Sequence, residues 1–224
     1  MFKNLLQFWK GKDFLNQVFD DFRKMLDDAE NMFSSVCKKL IHKQEVPDLK
    51  NKIYAVDRQV NGLEKDIRKR VVEHLSLQPS ADAPICLVLM SVVKDAERLG
   101  DYSKNLLEVS ELLSEPINKD RYLSLFDGIE EDIVDLFQRT RKAFIESDQE
   151  EAQKSWPHER KIAKRCDEII KKIVESSLST NEAVCFSLMA RYFKRIAVHL
   201  TNIATSVILP LADLDYFDEK RKDE

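Results

Sequence analysis

The chain is poor in turn-forming residues, with only four glycines and six prolines among 224 residues. So little turn chemistry argues against an all-β fold, which needs a tight turn after nearly every short strand. Long apolar runs are also missing. The longest candidate, Ile85 to Val93, is broken by Lys94 and Asp95 and falls short of the ~18 residues needed to span a bilayer.

Cysteine is scarce as well, and charge of one sign does not dominate. The four cysteines form no CxxC pair and no secretory signal is evident, so we expect free thiols buried in the core of a cytoplasmic protein. The formal net charge is only −4, with acidic and basic residues interspersed, so no nucleic-acid partner is expected. Neither a glycine-rich phosphate loop nor a nucleophile motif is present, so the sequence predicts no enzyme.

What the sequence does contain is a helical rhythm of apolar residues. Hydrophobic side chains recur at spacings of three and four in six long segments, which is typical of amphipathic helices. The segments cover about residues 13–43, 48–77, 82–113 and 118–146, then a fifth from Ser147 and a sixth from Ser179 to about Leu209. The sequence therefore predicts an all-α fold of six long helices in two similar three-helix bundles.

Several residues predict local features of these helices. Ser147 and Ser179 are each followed three residues later by a glutamate, as in a capping box. Pro157 lies inside the fifth helical pattern and predicts a kink or a restart. Gly62 in the second helix costs about 1 kcal/mol relative to alanine, and we expect close approach of a neighbouring helix to compensate.

The predicted helices divide the chain into four parts. These are an amphipathic N-terminal segment (1–12), a first repeat (13–115), a second repeat (116–210) and a charged tail (211–224). Two interpretations of residues 1–12 are open: contact with a membrane surface or a partner, or a terminal helix packed on the body. We favour packing on the body, because so short a segment is a weak interfacial anchor.

A motif in the third helix organises the first repeat. Glu97, Asp101 and Asn105 stand at positions i, i+4 and i+8, so they share one stripe of the helix, and Arg98 accompanies them. This stripe lies away from the apolar side that carries Leu99. We therefore expect the motif to face solvent or a shallow groove.

A near copy of this motif lies in the sixth helix and indicates an internal duplication. Arg195 and Asn202 match the arginine and asparagine of the first copy. Lys194 and Val198 replace its two carboxylates.

These segments resemble the PhoU family of phosphate-transport regulators. The resemblance is carried by residues 57–66, Leu77-Gln-Pro79 and the motif at 97–105, with 190–204 resembling the family's second repeat. It covers roughly residues 14–210. It implies two similar helical bundles and a regulator that contacts phosphate transporter components and a sensor kinase. Peripheral membrane contact and a homodimer are also compatible with it.

The resemblance further implies a metal, iron or another divalent or trivalent ion, at paired surface carboxylates. Glu97 and Asp101 lie about 6 Å apart along the helix axis and could bridge ions if a facing helix adds ligands. The candidates on the second helix are Asp57, Asn61 and Glu64. The alternative is that the carboxylates form ion pairs with neighbouring lysine and arginine side chains and bind no metal.

At the second repeat we expect no metal, because Lys194 brings positive charge and Val198 cannot coordinate an ion. His199 is interpreted as a surface or partly buried histidine rather than a ligand. This altered motif leaves a second function open, that of a helical adaptor or metal-binding module that keeps the fold with a different partner.

Overall fold

The computed structural model describes residues 13–42, 44–77 and 82–215. This part of the chain contains seven α-helices and no strand, which confirms the all-α prediction. The helices are α1 (Asp13–Leu40), α2 (Leu49–Leu77), α3 (Ala83–Leu112), α4 (Lys119–Phe126), α5 (Ile129–Glu146), α6 (Gln149–Val174) and α7 (Thr180–Thr205). A short 3-10 helix, Leu211–Asp213, follows α7.

The long helices form two bundles that share one core. Helices α1, α2 and α3 pack on one another, as do α5, α6 and α7, and the pairs α3–α7 and α1–α5 join the two halves. Phe33 of α1 lies between Phe137 of α5 and Phe193 of α7, with ring centroids 6.0 and 5.8 Å away. The prediction of two similar three-helix bundles is confirmed, and aromatic packing joins them.

One predicted helix, 118–146, is in fact two. Asp127 and Gly128 adopt left-handed φ angles of 48° and 71°, which ends α4 and starts α5 in a new direction. Arg165 of α6 donates to the carbonyl oxygens of Phe126 and Asp127, at 2.8 and 2.6 Å. The prediction of one helix was wrong because the spacing of apolar residues continues across the break, whereas the helical backbone conformation is interrupted at Asp127 and Gly128.

The helix ends test the predicted caps. Ser147 is not the N-cap of α6: it ends α5 with φ 58°, and Asp148 accepts from the backbone N–H groups of the first turn of α6. Ser179 does cap α7, accepting from the backbone N–H of Glu182 at 3.2 Å, as predicted. Pro157 does not restart a helix, because α6 runs through it. Its exposed position lets water reach the carbonyl that the missing N–H leaves free.

Glycine contributes at a different place from the one predicted. No atom lies within 4 Å of the position that a Cβ on Gly62 would take, so the expected close approach there is wrong. Gly100 is the glycine at a helix contact. A Cβ on it would meet Met32 of α1 and Val60 of α2 at 3.8 Å. The three helices of the first bundle are therefore in contact at Gly100, which lies within the motif of α3.

Two further predictions concern membranes and thiols. Among the described residues, no helix is both long and apolar enough to cross a bilayer. All four cysteines are free and buried, as predicted. The predictions for residues 1–12, the turn after Leu77 and residues 216–224 lie outside the described part of the chain.

Candidate functional site

The predicted metal ligands lie together in a groove between α2 and α3. Asp57 and Glu64 come from α2, and Glu97 and Asp101 come from the facing side of α3. Their side chains are between 11 and 24% exposed, so the groove is shallow but largely shielded from water. We call these four carboxylates, with Lys104, the first-repeat groove.

Basic side chains already pair with these carboxylates. The Nζ atom of Lys104 lies 3.0 Å from Oδ1 of Asp57 and 3.0 Å from Oδ1 of Asp101. Arg98 approaches the other oxygen of Asp101 at 2.8 Å. On α2, Arg68 lies 2.9 Å from Glu64. The ion pairs of Asp101 with neighbouring basic residues, which the sequence left as an alternative, are therefore formed.

Burial and neighbouring charged groups shift the pKa values of two side chains in the groove. Burial raises the pKa of Glu97 to about 7, and the Asp101 carboxylate adds to the rise, while Arg98 opposes it. At neutral pH, the Glu97 carboxyl group is therefore only partly ionised. Burial by itself lowers the pKa of Lys104, but hydrogen bonds to Asp101 and Asp57 outweigh that effect and raise it overall. Lys104 therefore carries a positive charge at neutral pH.

The groove does not fit a metal ion in this arrangement. A cation ligated by Asp57 and Asp101 would compete for the same oxygen atoms with the ammonium of Lys104. Within the described part of the chain, no three His, Cys, Asp or Glu side chains are placed to hold an ion. Metal binding at Asp57, Glu64, Glu97 and Asp101 therefore stays a prediction. Asn61 lies half-buried on α2, as Asn105 does on α3.

The equivalent face of the second repeat carries a different charge pattern. Lys194 of α7 donates to both carboxylate oxygens of Asp167 on α6, at 2.7 Å each. Val198, one turn further along α7, is half-buried. The face thus joins its two helices through an ammonium–carboxylate pair.

A second polar cluster, which the sequence analysis missed, joins the two repeats. Nδ1 of His199 on α7 lies 2.6 Å from Oδ1 of Asp95 on α3, and both residues are buried. Because an ionised carboxylate only accepts, Nδ1 is the donor. Asn202 approaches the same oxygen at 3.4 Å. This motif asparagine therefore faces the other repeat rather than a groove.

Aromatic and cationic contacts complete this cluster. The ring of Tyr102 on α3 stacks on His199, with centroids 5.6 Å apart and planes at 22°. Arg195 donates to the Tyr102 hydroxyl at 3.1 Å, and its guanidinium lies 5.8 Å from the ring centroid. We call Asp95, Tyr102, Arg195, His199 and Asn202 the repeat junction.

The junction has an approximate two-fold arrangement. Aligning the two motif copies pairs Asp95 with Tyr192 and Tyr102 with His199. The contact between Asp95 and His199 is therefore matched by the contact between Tyr192 and Tyr102, whose ring centroids lie 5.9 Å apart. The third and sixth predicted helices thus meet through equivalent positions.

Sequence did hold a signal for this junction. Asp95 lies on the apolar stripe of α3, at helical spacing between Val92 and Leu99, and a charged residue on such a stripe needs a buried partner. The identity of the partner could not be inferred, because His199 is 104 positions away.

Comparison with known proteins supports a common family. A family model for the PhoU domain matches residues 22–110 and 129–207, which together make up about three quarters of the chain. The two matched segments contain the two copies of the motif.

Two named relatives are similar over most of their length. The chain is 22% identical to a phosphate-specific transport system accessory protein PhoU homolog of Deinococcus radiodurans, covering 86% of this chain and 92% of that protein. It is 23% identical to PhoU homolog 1 of Thermotoga maritima, also a phosphate-specific transport system accessory protein, covering 85% and 79%.

Solved structures share the fold. The phosphate transport system regulatory protein PhoU of Streptococcus pneumoniae superposes with a TM-score of 0.76 at 17% identity, covering 90% of this chain and 95% of that one. PhoU of Pseudomonas aeruginosa gives 0.66 at 20% identity, covering 93% and 97%.

Proposed function

Because the chain belongs to the PhoU family, we propose that it is a non-enzymatic accessory protein of phosphate transport and phosphate homeostasis. The observation that carries the proposal is the match of both repeats to the PhoU domain. Two relatives are named as phosphate-specific transport system accessory proteins. The match covers 92% of the Deinococcus radiodurans protein and 79% of the Thermotoga maritima protein.

The proposed mechanism is protein–protein contact in the cytoplasm. The partners are a phosphate transporter component and a sensor kinase that controls phosphate-starvation genes. A shared aromatic core and the repeat junction join the two bundles, so their outer helix faces belong to one packed unit. A scaffold of this kind can present one surface to a transporter and release it to a kinase when the transporter changes state.

No step of this mechanism requires a metal. If an ion were held, Asp57, Glu64, Glu97 and Asp101 are the predicted ligands, and Lys104 would first have to leave Asp57 and Asp101. A homodimer and peripheral contact with a membrane likewise remain predictions.

Gene deletion in the native host tests the role in phosphate homeostasis. We expect the deletion strain to transcribe phosphate-starvation genes in phosphate-rich medium, and the wild-type gene to restore repression. A matched control is Phe193→Asp, which places a charge in the fully buried core and should neither fold nor complement. Unchanged transcription and phosphate uptake in the deletion strain would contradict the proposal.

Direct binding identifies which partner is used. Purified chain is immobilised and exposed to the host's phosphate-transporter ATPase and, separately, to the cytoplasmic part of its phosphate-sensing kinase. Saturable binding to either supports contact signalling. Absence of binding to both, with a folded chain by circular dichroism, would oppose it.

One observation favours a second function. In the second repeat the motif carboxylates are replaced, and Lys194 is paired with Asp167 instead. A face changed in this way suits a helical adaptor that has taken a different partner. In that case the deletion leaves phosphate-starvation genes repressed, which separates the two functions.

A further inference from the structure

The first-repeat groove contains its own cation. Lys104 stands on α3 and reaches across to Asp57 on α2 while also contacting Asp101 on its own helix, at 3.0 Å in both cases. Its side chain is only 19% exposed, unlike a lysine that extends freely into water. The ammonium thus lies between carboxylates of two helices, which is the place a bridging ion would take.

The second repeat also contains a lysine that links two helices, but the link is made by other residues. Lys194 of α7 holds both oxygens of Asp167 on α6, again linking the last helix of a bundle to the one before it. The lysines are not at equivalent motif positions, since Lys194 aligns with Glu97. Two independent ammonium groups therefore make the same interhelical link, one in each bundle.

We propose that the ammonium of Lys104 takes the place of a metal ion between Asp57 and Asp101, so that the first-repeat groove binds a divalent cation much more tightly once Lys104 is removed. The inference does not rest on the phosphate-transport role, and its failure would leave that role untouched.

Electrostatics gives the size of the effect. A divalent ion bound through the oxygens of Asp57 and Asp101 would lie about 4 Å from the ammonium if Lys104 stayed in place. Repulsion between charges of +1 and +2 at that distance weakens binding by more than about tenfold even with the dielectric constant of water. If Lys104 instead moves out of the groove, its ion pairs with Asp57 and Asp101 are lost when the metal binds. A variant without the lysine has no such ion pairs to lose, so its metal binding is not weakened in this way.

The test compares metal binding by variants that differ in this one charge. Lys104→Ser and Lys104→Gln remove the ammonium, and Lys104→Arg keeps a positive charge as the matched control. Each full-length protein is stripped with a chelator and titrated with Mn²⁺ in a calorimeter. Bound manganese is then counted by elemental analysis after gel filtration, and folding is checked by circular dichroism.

We expect the serine and glutamine variants to bind Mn²⁺ at least about tenfold more tightly than the wild type, and the arginine variant to match the wild type. Adding Asp57→Asn to Lys104→Ser should remove the gain. Wild-type affinity equal to that of the neutral variants would overturn the proposal. So would folded neutral variants that bind no additional Mn²⁺. The glutamine variant, which keeps most of the side-chain length, decides the matter if the serine variant does not fold.

Discussion

The hydrogen bond between His199 and Asp95 should contribute more to stability than an exposed ion pair of similar length. His199→Ala removes the donor and leaves a buried carboxylate oxygen with only the longer contact from Asn202, 3.4 Å away. Leaving such a group poorly satisfied costs about 1–3 kcal/mol. Loss of the stacked contact with Tyr102 adds roughly 0.5–1 kcal/mol.

Together these effects should lower the free energy of unfolding by roughly 1.5–4 kcal/mol. For a chain of this size, that corresponds to a fall in Tm on the order of 10 °C. The assay is a double-mutant cycle with Asp95→Ala, His199→Ala and the pair, unfolded in urea and followed by circular dichroism. A coupling energy of about 1–3 kcal/mol is expected, because the double variant leaves no unpaired partner.

Lys50 and Glu111 supply the matched control. They also join two helices through a contact of 2.9 Å, but their side chains are 58 and 41% exposed. Exposed pairs contribute little net stability because water already solvates both charges, so this cycle should give a small coupling. If the junction coupling is no larger than that of the control, the reasoning that the buried hydrogen bond fastens the two repeats is refuted.

Two further predictions use single substitutions. The pKa of Glu97 is raised to about 7, so the folded chain holds a proton that the unfolded chain releases near pH 4.5, and stability should fall as pH rises between these values. Glu97→Gln should flatten that dependence and be more stable than the wild type at pH 8 by roughly 1–3 kcal/mol, measured by urea unfolding with chelator present at pH 5 and pH 8. An unchanged pH profile would contradict the shift. Ser179→Ala removes the cap of α7 and should cost about 1 kcal/mol in thermal or urea unfolding, whereas Ser179→Asn should cost little because asparagine also caps and brings no charge near Glu182. Equal losses in both variants would argue against capping.

The sequence by itself determined most of the helices and the shared helix face of the two motif carboxylates. Apolar spacing and local caps act within a few residues along the chain, so the helical segments and the Ser179 cap could be read directly. The shared stripe of Glu97 and Asp101 follows from helix geometry alone. Placing them opposite Asp57 and Glu64 required the family resemblance, because the spacing of apolar residues does not show which helices pack against each other.

Tertiary structure decided the rest. The break at Asp127 and Gly128 depends on backbone angles that Arg165, on another helix, helps to hold. Whether Lys104 points to water or into the groove is a rotamer choice set by the spacing of α2 and α3. The pairing of His199 with Asp95 exists only because the two bundles pack with α3 against α7. Each of these contacts joins residues far apart in sequence, and their geometry arises only when the helices have packed.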